Sequence, residues 1–316
     1  MDHNKPVEFE GAEDPFKGRF DDIPFESPVR PTMLTEESVI QFKCHPGIAC
    51  FNECCRNITI QLTPYDIIRL KRRLDMDSRE FVARYTIPFE MDHHSMPGLH
   101  LMTKPGTHEC VFLGEAGCTV YEDRPAACRY YALGSMGIRA KDSAMVEDIF
   151  YLVKEAHCLG HNEPRKLTVH EYRKEQGCIE YDEMNREWRD IILKKRSSGP
   201  AVGAPSARSL QLFDMCSYDM DSFRAFIQTD GFMEIFDIDE AAMSTLIEDE
   251  DALLAFAMRF LKQALFGEHT IPLKDGARDK RVTKRREHIE ARKAKEIALK
   301  EEDDIYDIDQ KAEKGQ

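Results

Sequence analysis

Phe42-Lys43-Cys44-His45-Pro46-Gly47-Ile48-Ala49-Cys50-Phe51-Asn52-Glu53-Cys54-Cys55-Arg56 places four cysteines within a dozen positions, two of them adjacent. Packing thiols this closely adds little to an ordinary core. Thiolates are soft ligands that suit zinc, Cu(I) and iron–sulfur clusters, and they bind in the deprotonated form. Pro46-Gly47 forces a turn, so Cys44 can fold back toward Cys50. On a helix Cys54 and Cys55 would diverge by about 100°. Both then face one metal only where the backbone is irregular; otherwise one ligates and the other packs or serves a second site.

Working outward, a second set of cysteines follows at Cys110, Cys118 and Cys128, with Cys158 as a last member. Cys110-Val111-Phe112-Leu113, a Gly114 to Gly117 turn and Cys118-Thr119-Val120-Tyr121 read as a hairpin, which sets Cys110 and Cys118 on either side of one turn. Glu122-Asp123-Arg124-Pro125 then leads into a short helix carrying Cys128. Arg56, Arg124 and Arg129 lie within four residues of these cysteines. A four-thiolate zinc or [4Fe–4S] site carries a net charge of about −2, which arginines can offset while donating N–H to sulfur. His157 and His161 flank Cys158 as alternative nitrogen ligands. His93 and His94 sit in an expected loop, residues 87–97, where solvent exposure is the plainer reading. Cys216 lies in an apolar helical run and reads as core.

The chain has 316 residues and a formal net charge of −14. It is long enough to bury a real core, so the cysteines are not needed to replace one. The acidic balance argues against a nucleic-acid binder, which needs a basic face for phosphate. Residues 1–30 hold no apolar run of the signal-peptide or membrane-spanning kind. A cytoplasmic location is therefore expected, where thiols stay reduced and ten cysteines point to metal or redox chemistry rather than disulfides. Cys50-x-x-x-Cys54 matches half of the Cys-x-x-x-Cys-x-x-Cys run of S-adenosylmethionine radical enzymes, but Cys55 comes two positions too early. Phosphate loops, dinucleotide fingerprints, His-Glu-x-x-His helices and serine elbows are absent from the sequence.

Along the chain, residues 1–35 read as a disordered acidic tail and 36–165 as a cysteine-cluster metal-binding domain. Residues 166–270 read as a helical region packed on that domain, and 271–316 as a charged tail, disordered or helical. Residues 57–62 alternate like a short strand, as do 99–102, and 148–153 resemble a buried strand. Thr63-Pro64-Tyr65-Asp66 is a helix start with a capping box, and Thr168 with Glu171 repeats it. A second helix is expected from Asp77 through Tyr85. Residues 178–195 are helical, 197–206 form a linker, and residues 210–218 and 221–227 are amphipathic. Residues 249–266 make a strong helix with Gly267 as its stop. The expected fold class is α+β: short strands around the metal, then a mainly helical part.

Cys54-Cys55-Arg56, Leu62-Thr63-Pro64-Tyr65-Asp66-Ile67, Cys110-Val111-Phe112-Leu113, Cys118-Thr119-Val120-Tyr121 and Arg124-Pro125-Ala126-Ala127-Cys128-Arg129 together resemble the YkgJ-type cysteine-cluster family of zinc- or iron-chelating domains. Here the first cluster is opened out to Cys44-x5-Cys50-x3-Cys54-Cys55. A subgroup of wider spacing is similar further on, through Tyr218-Asp219-Met220-Asp221-Ser222-Phe223-Arg224 and Leu265-Phe266-Gly267, so the resemblance covers about residues 42–267. It implies metal chelation without a general activity. One branch is similar to a flagellin lysine N-methylase, which keeps a protein-modifying enzyme as the alternative. The expected ligands are Cys44, Cys50, Cys54, Cys55, Cys110, Cys118, Cys128 and Cys158, holding zinc or iron, the latter alone or as [4Fe–4S]. A protein partner or substrate is expected; a membrane or nucleic acid is not.

Overall fold

The computed structural model describes residues 33–91, 96–139, 146–197 and 205–277, with positions 279, 283, 286 and 290 beyond them. Most of both tails, His93 and His94, and most of the 197–206 linker fall outside those residues.

The fold is α+β. Short strands dominate the first half: β1 (Val39–Gln41), β2 (Gln61–Leu62), β3 (Thr86–Glu90), β4 (Pro97–Leu101), β5 (Leu113–Gly114), β6 (Gly117–Cys118), β7 (Leu133–Arg139), β8 (Val146–Leu152) and β9 (Lys166–Thr168). They pair antiparallel in small sheets: β1 with β9, β2-β4-β3, β5 with β6, and β7 with β8. Between them lie α1 (Pro64–Leu74), α2 (Ser78–Tyr85) and α3 (Ala126–Tyr130). After β9 the chain is helical: α4 (Val169–Gln176), α5 (Cys178–Ser197), α6 (Ala207–Tyr218), α7 (Met220–Ile227), α8 (Asp230–Met233), α9 (Glu240–Glu248) and α10 (Glu250–Phe266).

The helix signals act where the sequence puts them. Thr63 Oγ1 accepts from the Asp66 amide at 3.2 Å, and Asp66 Oδ2 accepts from the Thr63 amide at 2.8 Å, a reciprocal box that starts α1. Thr168 and Glu171 repeat it on α4. Gly267, at φ 72°, ends α10 in the left-handed region that suits glycine.

Three expectations need correction. Alternation over 57–62 yields only the two-residue β2, because the Ile58 amide bonds to the His108 carbonyl instead of a ladder. The expected loop from 87 contains β3, an edge strand of its sheet, where Pro88 is tolerated because an edge position needs no amide donor on its outer side. The strand at 148–153 is one half of a seven-residue ladder whose partner, β7, holds two glycines and carries little strand signal.

One hydrophobic cluster runs through both halves of the chain. It joins Leu62, Tyr65, Ile68, Leu99 and Phe112 to Tyr181, Trp188, Phe213, Phe223, Leu253 and Phe260. A smaller one gathers Ile40, Phe42, Tyr130, Leu133, Phe150, Leu167 and Tyr172. Between α1 and the later helices sits an ion network. Lys71 Nζ lies 2.5 Å from Glu250 Oε1 and 2.8 Å from Asp221 Oδ2, with Lys71 and Glu250 both buried. An ion this deep is tolerated only when paired. Among the described residues no helix is long and apolar enough to cross a membrane.

Candidate metal centre

The first cysteine cluster closes with a 3-10 turn over Glu53–Cys55, entered through Asn52 at φ 69°. Successive side chains in such a turn are about 120° apart. Cys54 accordingly faces outward, whereas Cys55 is half-buried against the main core. Their sulfurs are still only 4.0 Å apart. Two thiolates about 2.3 Å from one tetrahedral zinc stand about 3.8 Å from each other, so this spacing suits shared or adjoining metal coordination.

The second set is brought to this turn by main-chain bonds. The Cys110 amide donates to the Cys55 carbonyl at 2.8 Å. Cys118 follows through the β5–β6 hairpin, where it pairs with Leu113. Cys128 rides on α3, whose first amide, Ala126, donates to Asp66 Oδ1 at 2.8 Å. One carboxylate thus caps α1 with one oxygen and anchors α3 with the other. Burial pushes the Asp66 carboxyl up to about 6, against the hydrogen bonds from Thr63 and Ala126 that favour its charge.

Cys44, Cys54, Cys55, Cys110, Cys118 and Cys128 line one cavity of about 180 Å³. Phe42, Phe51, Ile58, Ile60, Phe112, Tyr131 and Tyr172 supply apolar wall, and Arg124, Arg165, Glu175 and Gln176 supply polar wall. Cys128 is closely surrounded by protein yet keeps accessible surface, because what it faces is the cavity. Cys50 and Cys158 stand side by side: the Leu159 amide donates to Cys50 Sγ at 3.2 Å. The Lys43 amide donates to the Gly160 carbonyl at 3.0 Å, which draws Cys44 to the same loop. Among the described residues no three His, Cys, Asp or Glu side chains already stand in metal-coordinating geometry. The thiols are gathered around shared space rather than closed on a point.

Burial raises the pKa of Cys44, Cys118, Cys128 and Cys158, and carries Cys110 to about 11, with neighbouring thiols adding to it in each case. Cys54 and Cys55 act as a pair. The hydrogen bond from Cys54 lowers Cys55 to about 7, assisted by Arg56 and opposed by burial, while the same bond raises Cys54. Donors are turned on several sulfurs: the amides of Phe112 on Cys110, Val120 on Cys118 and Gly160 on Cys158, where the Tyr131 hydroxyl joins. N–H groups aimed at sulfur favour the thiolate.

Of the expected arginines, Arg56 lies beside Cys55 and pairs with Glu53 and Glu109. Arg124 is buried, lines the cavity, lowers the Cys118 pKa against burial, and stacks 4.1 Å from the Tyr121 ring centre. Arg129 takes a different part. It donates to the carbonyls of Arg124, Gln176 and Glu122 and to the Tyr181 hydroxyl, tying α3 to α4 and α5. His157 is half-exposed beside Tyr131 and Glu155. His161 sets Nε2 2.9 Å from the Val153 carbonyl, so Nε2 carries the proton. Cys178 and Cys216 are fully buried and outside the cavity wall. Asp66 was visible in sequence only as a helix cap; its second partner, 60 residues on, leaves no local signal.

A family model matches residues 43–158; its description is CxxCxxCC, putative zinc- or iron-chelating domain. Neither curated proteins nor solved structures give a match to the chain.

Proposed function

We propose, on the match of residues 43–158 to the zinc- or iron-chelating CxxCxxCC model, that this chain is a cytoplasmic iron–sulfur protein whose cluster ligands come from Cys44, Cys50, Cys54, Cys55, Cys110, Cys118, Cys128 and Cys158. The observation that supports iron–sulfur over zinc is the size of the thiol-lined space. A tetrahedral zinc fills the gap between its own ligands and needs no void. A cavity of about 180 Å³ walled by six cysteines is larger than one ion requires; an apolar void of about 150 Å³ already holds a benzene-sized guest. Cysteines drawn from near and remote parts of a chain are also usual around such clusters.

When bound, the group supplies one-electron redox chemistry or a rigid structural node. The chain's own residues hold and tune it. The Phe112, Val120 and Gly160 amides favour thiolates at Cys110, Cys118 and Cys158. Arg124 and Arg56 offset negative charge near Cys118 and Cys55. Phe42, Ile58 and Phe112 limit water at the cavity wall. A cytoplasmic setting suits thiols that must stay reduced.

The test is anaerobic purification followed by iron, acid-labile sulfide and zinc analysis, with a visible spectrum. The reading expects brown protein with iron and sulfide in similar amounts. Colourless protein with stoichiometric zinc and no sulfide overturns the cluster and leaves chelation standing; protein without any metal overturns both.

A further inference from the structure

The eight cysteines are not one undivided ring. Two groups emerge from the main-chain contacts, and they adjoin, since Cys44 and Cys54 line the same cavity as Cys55, Cys110, Cys118 and Cys128. In the first, the Cys110 amide is bonded to the Cys55 carbonyl, Cys118 follows in the adjoining hairpin, and Cys128 is enclosed against the same cavity. Cys128 feels the charges of Cys110, Cys55 and Cys118. In the second, the Leu159 amide reaches the Cys50 sulfur, and the Lys43 amide reaches the Gly160 carbonyl, so Cys44, Cys50 and Cys158 share one corner. Cys44 feels Cys50 and Cys158 more than Cys55, and Cys158 feels Cys50. Cys54 turns outward from Cys55 at the seam and is within the field of Cys55, Cys44 and Cys128, so it stands between the groups.

Each group carries its own thiolate-favouring donors. Phe112 and Val120 serve Cys110 and Cys118 in the first; Leu159 serves Cys50, and Gly160 serves Cys158, in the second. A thiol destined merely to pack needs no such donor. The 3-10 turn sets the seam, because adjacent residues about 120° apart point Cys54 outward and Cys55 toward the core while their sulfurs stay 4.0 Å apart.

We infer that the chain holds two four-thiolate sites that meet at the Cys54–Cys55 seam: an inner one of Cys55, Cys110, Cys118 and Cys128, and an outer one of Cys44, Cys50, Cys54 and Cys158. This rests on the chelation reading and is independent of whether the occupants are zinc ions or iron–sulfur clusters. Occupation closes each set by side-chain rotation, since neither is preassembled. The outer site is the more accessible, because Cys44 and Cys54 are exposed whereas Cys110 is buried.

Native mass spectrometry of the full chain, purified without oxygen, counts the bound centres directly. The expected count is two. Cys50→Ser and Cys158→Ser each leave one, Cys118→Ser leaves one, and the Cys50→Ser/Cys118→Ser double variant leaves none. Cys216→Ser, a substitution in the helical core, keeps two. If Cys118→Ser fails to fold, the outer variants still decide the matter, since their side chains are only partly buried. A wild-type count of one overturns the partition while chelation survives. Loss of both centres from Cys50→Ser alone also overturns it, in favour of a single shared centre. A count of zero removes the chelation reading itself.

Discussion

The main-chain amide of Leu159 donates to the sulfur of Cys50 at 3.2 Å, across 109 positions of sequence. Holding two such distant segments together costs chain entropy that grows with the logarithm of the loop. Leu159 itself is among the exposed large apolar side chains, so it adds little burial to the contact. Metal removal is therefore expected to loosen this corner before the rest of the molecule. After anaerobic chelation, hydrogen exchange should quicken in residues 43–56 and 155–161 while α10 stays protected. Unchanged exchange in both segments would show that the metal does not hold them.

Gly160 gives a second lever on the same corner. A methyl added there would stand 2.6 Å from the Phe42 ring and 3.1 Å from the Lys43 carbonyl oxygen. Gly160→Ala should cost about 1–3 kcal/mol by overpacking, read as a lower urea midpoint. It should also weaken retention of the outer centre more than the inner one, measured by chelator competition.

Arg129 predicts a comparable effect from a substitution that keeps the positive charge. Its guanidinium spans the Arg124 carbonyl at 3.0 Å, the Gln176 carbonyl at 2.8 Å and the Tyr181 hydroxyl at 3.1 Å, and it packs 4.2 Å from the Tyr181 ring centre. A lysine has no planar fork to reach all of these. Arg129→Lys should lose about 1.5–3 kcal/mol, the range for hydrogen bonds to a charged group. Gly177 presses against the same group: at φ 70° its absent Cβ would lie 2.8 Å from Arg129 Nη1. Gly177→Ala should therefore destabilise by a similar route, and thermal melts of both variants check it.

Asp221 sets the expected acid response. Burial alone would raise its pKa, but bonds from Lys71 Nζ and from the Ser78 amide and hydroxyl outweigh this and hold it well below the ordinary carboxylate value. With the folded pKa depressed, the unfolded chain binds the proton more readily. The stabilisation is thus complete above the unfolded pKa of about 4 and is lost as pH falls through and below it. Asp221→Asn should lower stability at neutral pH and flatten the decline below pH of about 4, measured by urea unfolding across pH. An undiminished acid slope would place the titration elsewhere.

The parts legible in the sequence are those whose signals are local. Thr63 with Asp66, Thr168 with Glu171, and Gly267 act within one helical turn, so α1, α4 and the end of α10 could be read directly. The cysteines and Arg124 were likewise legible as residue types. What escaped was pairing across distance. β7 is a strand because β8 lies beside it, not because Leu133-Gly134-Ser135 favours one. Residues 57–62 alternate, yet His108 intercepts the Ile58 amide. The second duty of Asp66, and the turn of Arg129 toward carbonyls rather than sulfur, depend on where α3 and α4 come to rest. The proposed division of the thiols likewise hangs on a 3-10 turn that no cysteine spacing specifies.

The shared hydrophobic cluster carries a practical lesson for anyone cutting the gene. Leu62, Tyr65 and Ile68 are sealed by Tyr181, Trp188 and Phe213, and β1 finds its only ladder partner among the described residues in β9. Both fall beyond the 43–158 segment that family comparison picks out. A fragment trimmed to those limits would keep every sulfur of the proposed centres and lose the lid over its own floor, so homology borders here are not the borders of a self-sufficient folding unit.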